Sequence, residues 1–419
     1  MDYTDWVKLD GRRMPLLELR ADPDQHVRLL AAARAHKSAE CLCRTPALPL
    51  VTRCSQRGRH HLACWPGEGP RHDPRCSFHR LDPEMSGQGS YEMSAIRETD
   101  AGTSIRFAAP LVSKASEQQP RTVDAAACPG LGRRSVGLLG LMHYLFDAAK
   151  LSAWSANSRG RSWATVARAL TAQAAHCTIS RQPAESVLYV VPPYRAERAE
   201  ANLAAFDGFL ASLRAGQAQI RRGFILGELK DIRPSKFGLA YQLWHLGRAP
   251  RAQVYVSTQL DVKLRRSHRN AFSQAAADAG GRRVVLFYIE RSSGGFATAV
   301  DAAVMLTSGD YIPADSSYEV RMADALAAAG RSYVKPLTFD SASDNALTSA
   351  VFPDFVLTDE PNSYVEVWGL PGREDYERRK ADKITTYQRN AARLIEWTVT
   401  DPIPSLSSLA LQSPRSTRA

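Results

Sequence analysis

The chain has 419 residues, 44% of them apolar and 23% charged, with 54 Lys and Arg against 43 Asp and Glu and a net charge of +11. Length and composition fit a multidomain globular protein and exclude a collagenous, coiled-coil or wholly disordered chain. The basic excess points to an anionic partner, nucleic acid first. The longest apolar run, Val136 to Phe146, is 11 residues, far short of the ~20 needed to span a bilayer. The N-terminus lacks the basic-then-apolar order of a signal peptide. A soluble cytoplasmic protein without membrane contact is therefore expected, and its seven cysteines read as metal ligands or buried thiols rather than disulfides.

Taken in chain order, Asp22 to His36 reads as a helix capped by Asp22 or Asp24. The next segment holds five of the seven cysteines within 36 residues. Cys41 and Cys43, two apart, fall on one side of an extended segment. His72 and Cys76 form a second pair separated from the first by 28 residues, and Pro66, Gly67, Gly69, Pro70 and Pro74 supply turns. Two such pairs can close a tetrahedral structural zinc site, with Cys54, Cys64, His61 and His79 as spare donors. From Arg44 to Arg80 there are seven Arg and two acids, a basic knob suited to phosphate. Cys128 and Cys177 read as ordinary buried residues.

Residues 1–112 thus form an N-terminal Cys/His region, and 113–135, rich in Ser, Gln, Pro and Gly, a linker. Residues 136–220 read as a helical domain. Val136–Lys150 and Trp163–His176 are helices joined by a basic turn, and a strand follows before Pro192-Pro193. A winged helix and an ordinary helical layer both fit, and in the first case Arg159, Arg161 and Arg168 would share one exposed basic surface against DNA. Residues 221–310 read as α/β. Arg195–Arg214 is an amphipathic helix, 223–231 and 237–246 are paired strands, 252–256 is a strand, 258–279 a helix and 284–289 a fully buried strand. The tail, 401–419, is expected to be disordered. GxxxxGK[ST] and GxGxxG motifs are absent, which removes the usual signals for ATPase and dinucleotide-binding folds.

Residues 311–400 carry the sharpest pattern. A helix opens at Ser316, a short strand covers 332–334, strands at 352–357 and 364–369 carry Asp354 and Glu366, and a helix starts near Glu374. That order resembles the PD-(D/E)XK nuclease core, in which two carboxylates on adjacent strands hold Mg²⁺ beside a lysine. Position 368, where that motif places the lysine, is Trp. On the following helix Tyr376, Lys380, Lys383 and Tyr387 share one face, so Lys383 or Lys380 would supply the missing charge. Glu319 either orients the metal or serves as the second half of a Ser316-x-x-Glu319 capping box. Glu228-x-Lys230 is a weaker motif of the same type.

On Cys41-x-Cys43, HLACWPGEGPRHDPRC (61–76), GLLGLMHYLFDAAKLSAW (137–154), GELK (227–230) and the 311–387 segment, the chain resembles the bacterial family called domain of unknown function 1173. The resemblance implies an origin on a plasmid or integrative element, partners from that element, and Cys41, Cys43, His72 and Cys76 as the recurrent thiol and imidazole positions. It supplies no activity. The expected protein is an α/β (α+β, multidomain) nucleic-acid-associated protein with structural zinc and a C-terminal Mg²⁺-dependent nuclease. A non-enzymatic DNA-binding accessory protein and a protein–protein adaptor are the alternatives.

Overall fold

The computed structural model describes residues 5–55, 58–92, 94–114, 134–214, 219–236, 238–247, 252–338, 352–369 and 374–407. It is a mixed α+β structure built on four sheets.

The first sheet contains β1 (Trp6–Leu9), β2 (Arg12–Pro15), β3 (Ala39–Cys41), β4 (Leu48–Cys54) and β5 (His60–Cys64), in the order β2-β1-β3-β4-β5. Its pairings are antiparallel. Helices α1 (Leu16–Ala21) and α2 (Val27–His36) bury Leu16, Leu19, Leu30 and Ala33 in its core. Asp22 accepts the Gln25 amide, but it caps a short 3-10 turn at Pro23–His26 rather than α2 itself, because Pro23 favours a first turn whose amide needs no partner. The sheet was not expected: its strands are short, and β5 is half-buried along its length, which leaves no clean alternation.

A small second sheet joins β6 (Ile96–Glu98) and β7 (Thr103–Ile105) to β10 (Cys177–Ile179) and β11 (Gln182–Pro183). In the third sheet β13 (Gln219–Ser235) is the organising strand. It pairs β8 (Val112–Lys114), β12 (Leu188–Val190), β14 (Gly238–Leu246) and β16 (Arg282–Arg291). β14 continues through β15 (Gln253–Ser257) and β17 (Ala297–Thr307) back to β16, so the pairings close on themselves, with β18 (Pro313–Ala314) as an addition on β17. β16 buries every side chain from Val284 to Ile289, as an all-apolar run requires.

Helices α3 (Leu138–Ala148) and α4 (Trp163–Ala174), with α5 (Ala184–Val187), do not form a separate helical block. One apolar core runs from Tyr91 through both helices to β16, β17 and Leu337. Helix α6 (Ala199–Ser212) packs on the other face of the sheet with α7 (Thr258–Ser267) and α8 (Gln274–Asp278). The last two replace the single helix expected over 258–279. Ser273 caps α8 through the Ala276 amide, starting a new helix after the turn at 268–272.

The fourth sheet has the order β22-β21-β20-β19-β9: β22 (Arg393–Thr398), β21 (Ser363–Trp368), β20 (Phe355–Leu357), β19 (Tyr333–Val334) and β9 (Ala153–Trp154). β19, β20 and β21 are antiparallel neighbours, and β22 is parallel to β21. Helix α9 (Ser317–Ala328) precedes them and α10 (Glu374–Arg389) crosses over between β21 and β22. β9 belongs to the helical stretch of the sequence, so residues 136–220 are stitched into this sheet as well. The start of the tail is also packed: Leu406 is buried in the sheet's core and its carbonyl accepts from Arg331. Residues 115–133 of the linker, with Cys128, and 408–419 of the tail lie outside the described residues. Among the described residues no helix is long and apolar enough to cross a membrane.

Candidate metal centre and carboxylate–lysine site

β3 delivers Cys41 into the core, and Cys43 follows two residues later on the same side. The opposing pair rides on the loop after β5. A 3-10 turn at Gly69–Arg71 leads into His72, and Cys76 closes a turn by donating its amide to Asp73. The loop is pinned where Arg80 donates to the Gly69 carbonyl. A Cβ at position 69 would lie 2.7 Å from the Arg80 Cβ, so the crossing needs glycine.

The result is convergence of four donor atoms. Cys41 Sγ is 3.6 Å from Cys76 Sγ, and His72 Nδ1 is 3.3 Å from Cys43 Sγ and 3.7 Å from Cys76 Sγ. All four lie within 4.8 Å of one another, and among the described residues no other group of three or more such ligands forms. A tetrahedral zinc with Zn–S near 2.3 Å needs sulfurs about 3.7 Å apart. The cluster could hold a metal such as zinc. Its electrostatics fit: burial pushes the Cys43 thiol up, the hydrogen bond with Cys41 and then burial push Cys76 up, and burial pushes His72 down to about 4. Cys41, His72 and Cys76 are buried and Cys43 is half-buried. The Phe78 amide donates to Cys76 and the Asp73 amide to Cys43, the second-sphere contacts expected around thiolates. The spare donors stand apart: Cys54 and Cys64 lie along β4 and β5, His61 stacks on His176 with ring centroids 3.8 Å apart, and the His79 Nδ1 has no partner.

The C-terminal residues come together from three elements. Extending the β20–β21 register by one residue sets Asp354 opposite Glu366. Asp354 Oδ2 accepts the Val367 amide at 2.7 Å. Glu366 is 1% exposed, and both its oxygens are engaged, by Lys383 Nζ at 3.0 and 2.9 Å and by the Tyr387 hydroxyl at 2.6 Å. Lys383 also donates to the Phe352 carbonyl. Lys380 lies over the Trp368 indole, 5.0 Å from its centroid, while Trp368 Nε1 donates to Glu396. Of the two expected lysines, Lys383 is therefore the one on the carboxylates.

Glu319 serves the start of its helix: its amide donates to Ser316 Oγ, while its carboxylate accepts from the Asp315 amide, not from the Ser316 amide of a reciprocal capping box, and lies 2.7 Å from Lys335 Nζ. Lys335 is a residue the sequence reading missed. Only 3% exposed, it pairs Glu319 and Asp315 and takes further stabilisation from Asp354. Its sequence signal was a lysine placed between a two-residue strand and Pro336. Burial, opposed by Lys335 and reinforced by Asp315 and Asp354, pushes Glu319 up to about 8. Burial and the Asp354 charge push Glu366 up to about 7 against the pull of Lys383. Four carboxylates thus surround two ammonium groups.

Glu228 is no second site. Buried on β13, it is saturated by Lys230, Arg282 and the Tyr311 hydroxyl. The three arginines do not make one exposed basic surface. Arg159 and Arg168 are exposed, but Arg161 is spent on the fold: it donates to the Leu151 and Ala153 carbonyls and stacks on Trp154.

Four sheets and a Cys₃His cluster define a mixed α+β protein with a candidate metal centre near its N-terminus. Residues 17–400 match the family described as Protein of unknown function (DUF1173), and the chain belongs to that family. No curated protein and no solved structure matches.

Proposed function

We propose that this protein is a nucleic-acid-processing protein of a plasmid or integrative element, held together at its N-terminus by zinc on Cys41, Cys43, His72 and Cys76, with a Mg²⁺-dependent phosphodiesterase centre at Asp354, Glu366 and Lys383. The observation that carries the reading is Asp354 and Glu366 abreast on neighbouring strands with the Lys383 ammonium against Glu366. The order α9-β19-β20-β21-α10-β22, with β22 parallel to β21, supports a PD-(D/E)XK-like core whose lysine has moved from strand to helix.

A divalent cation suits the charge of the site, because four carboxylates face two ammonium groups and Asp354 Oδ1 carries no hydrogen bond among the described residues. Such an ion would polarise the scissile phosphate and lower the pKa of the attacking water. Asp354 and Glu366 would hold it together with substrate oxygens, the usual way Mg²⁺ is bound. Lys383 would turn from Glu366 toward the charge that builds on the phosphoryl oxygens. Glu319 and Lys335 would fix α9 against the strands that carry the carboxylates.

The test is Mg²⁺- or Mn²⁺-dependent cleavage of single-stranded, duplex and supercoiled DNA and of RNA. Asp354→Asn keeps an acceptor for the Val367 amide, so it should abolish cleavage and leave thermal stability nearly unchanged. Wild-type protein that cuts none of these refutes the enzyme. A second reading, a DNA-binding protein on a catalytically silent scaffold, draws on the engagement of both Glu366 oxygens and on Trp368 in the lysine position. In that case cleavage is absent and binding is salt-sensitive.

A further inference from the structure

A cavity of about 1630 Å³ lies between the N-terminal sheet with its Cys/His loop, the helices around α4, and the β9–β19 edge of the C-terminal sheet. That is larger than the ~300–1,000 Å³ of small-molecule sites. Ten Lys or Arg side chains line it against three carboxylates. Arg59, Arg168, Arg195 and Arg198 stand exposed on it and carry no ion pair among the described residues.

Its walls also hold polar atoms with nothing to bind. Arg53 is only 5% exposed; one of its amino groups donates to the Thr99 carbonyl, yet its Nε–H has no acceptor. The buried Nδ1 atoms of His60, His61 and His79 are likewise unpartnered and line the same cavity. A buried unpaired donor costs about 1–3 kcal/mol, and native structures keep few of them. His61 is held neutral, pushed down to about 3 by burial and, beyond that, by neighbouring positive groups. The lining is therefore a wall of fixed positive charge with unsatisfied hydrogen-bonding atoms behind it, the surroundings an acceptor-rich anion would complete.

We infer that this cleft binds a single strand of nucleic acid, with phosphates on Arg59, Arg168 and Arg195 and with one phosphate or base edge reaching the Arg53 Nε–H and the histidines. A long strand suits a cavity too large for one nucleotide-sized ligand. The cavity reaches Ser332, Val334 and Thr358 on the C-terminal sheet. Thr358 is four residues from Asp354, about 13 Å along the strand at ~3.3 Å per residue. A bound strand thus leaves the cleft beside the sheet that carries the carboxylates. The class of ligand rests on the nucleic-acid reading proposed above; the site itself rests on the cavity.

Full-length protein is titrated against a fluorescein-labelled oligothymidylate of about 20 nucleotides, longer than the ~4–16 nucleotides a single-strand groove covers, and against a duplex of the same length. Arg59→Glu/Arg168→Glu/Arg195→Glu should weaken single-strand binding at least 100-fold near 0.1 M salt. Arg59→Gln/Arg168→Gln/Arg195→Gln should lower the slope of log K against log salt by about 2, since each phosphate contact on a single strand contributes ~0.7. Circular dichroism and metal content check that these exposed positions leave the fold intact. If both triple variants bind like wild type, the cleft inference is overturned while the nucleic-acid reading survives. If the duplex is bound more tightly than the single strand, the single-strand assignment is overturned. If wild type binds no nucleic acid of either form, both fall.

Discussion

At the N-terminal end Cys41, Cys43, His72 and Cys76 turn four electron-pair donors toward one point, whereas at the C-terminal end Glu319 lies against Lys335 and Glu366 against Lys383. The first group is supported by the Phe78 and Asp73 amides, and in the proposed reading a zinc ion completes it. The second brings two ammonium groups of its own to its carboxylates, so in the proposed reading it stays folded without a metal and takes one up together with substrate. In that reading the first constellation is architecture and the second exchanges its ion. The difference lies in where the positive charge comes from.

Three substitutions or conditions press on this contrast. The largest effect is expected from Cys76→Ser. Structural zinc contributes roughly 10–16 kcal/mol in small peptides, so loss of a ligand should free the metal and unprotect the amides of β1–β5 to hydrogen exchange, while β19–β22 stay protected. Uniform protection across both sheets would break the contrast. The next effect is Lys383→Met. It strands Glu366 at 1% exposure, and removing one partner of a buried pair costs roughly 3–5 kcal/mol. About 3 kcal/mol is expected by denaturant unfolding, because Tyr387 still donates. Adding Glu366→Gln should recover most of it, which a mere packing defect would not do.

The smallest effect is a pH dependence. His61 and His176 are pushed below the usual imidazole value by burial, to about 3 and about 4. Their unfolded forms take up protons near pH 6.5 while the folded forms do not. The stability they contribute is thus fully present above pH 6.5 and is lost as pH falls toward 4, with a slope of up to roughly 1.4 kcal/mol per pH unit for each group. His61→Gln should flatten that slope in urea melts between pH 7 and 5. An unchanged slope would mean that the acid sensitivity lies elsewhere.

Much of the candidate site was legible in the sequence because its chemistry is local. One residue between Cys41 and Cys43, three between His72 and Cys76, and a carboxylate in each of two apolar runs are short-range facts. The lysine face of α10 follows from helical period, yet only the fold distinguishes Lys383, on Glu366, from Lys380, on Trp368. Lys335 was invisible because its partners lie on another element. The N-terminal sheet was missed because strands of three to seven residues carry little periodicity. The helical stretch read as a domain of its own because α3 and α4 are strongly apolar, but α3 packs on β16 and β17, and α4 on α3, α5, β10 and β12. Arg161 read as a phosphate contact, and the fold spends it on backbone carbonyls that a basic turn gives no hint of.

The contrast between the two constellations is tested most directly by native mass spectrometry of the full-length protein after exhaustive dialysis, with total metal measured alongside. The expected result is one zinc per chain, lost on Cys76→Ser, and no second metal retained until Mg²⁺ and a nucleic acid are added together. Protein with no stoichiometric zinc whose N-terminal sheet is nonetheless protected from hydrogen exchange would contradict it.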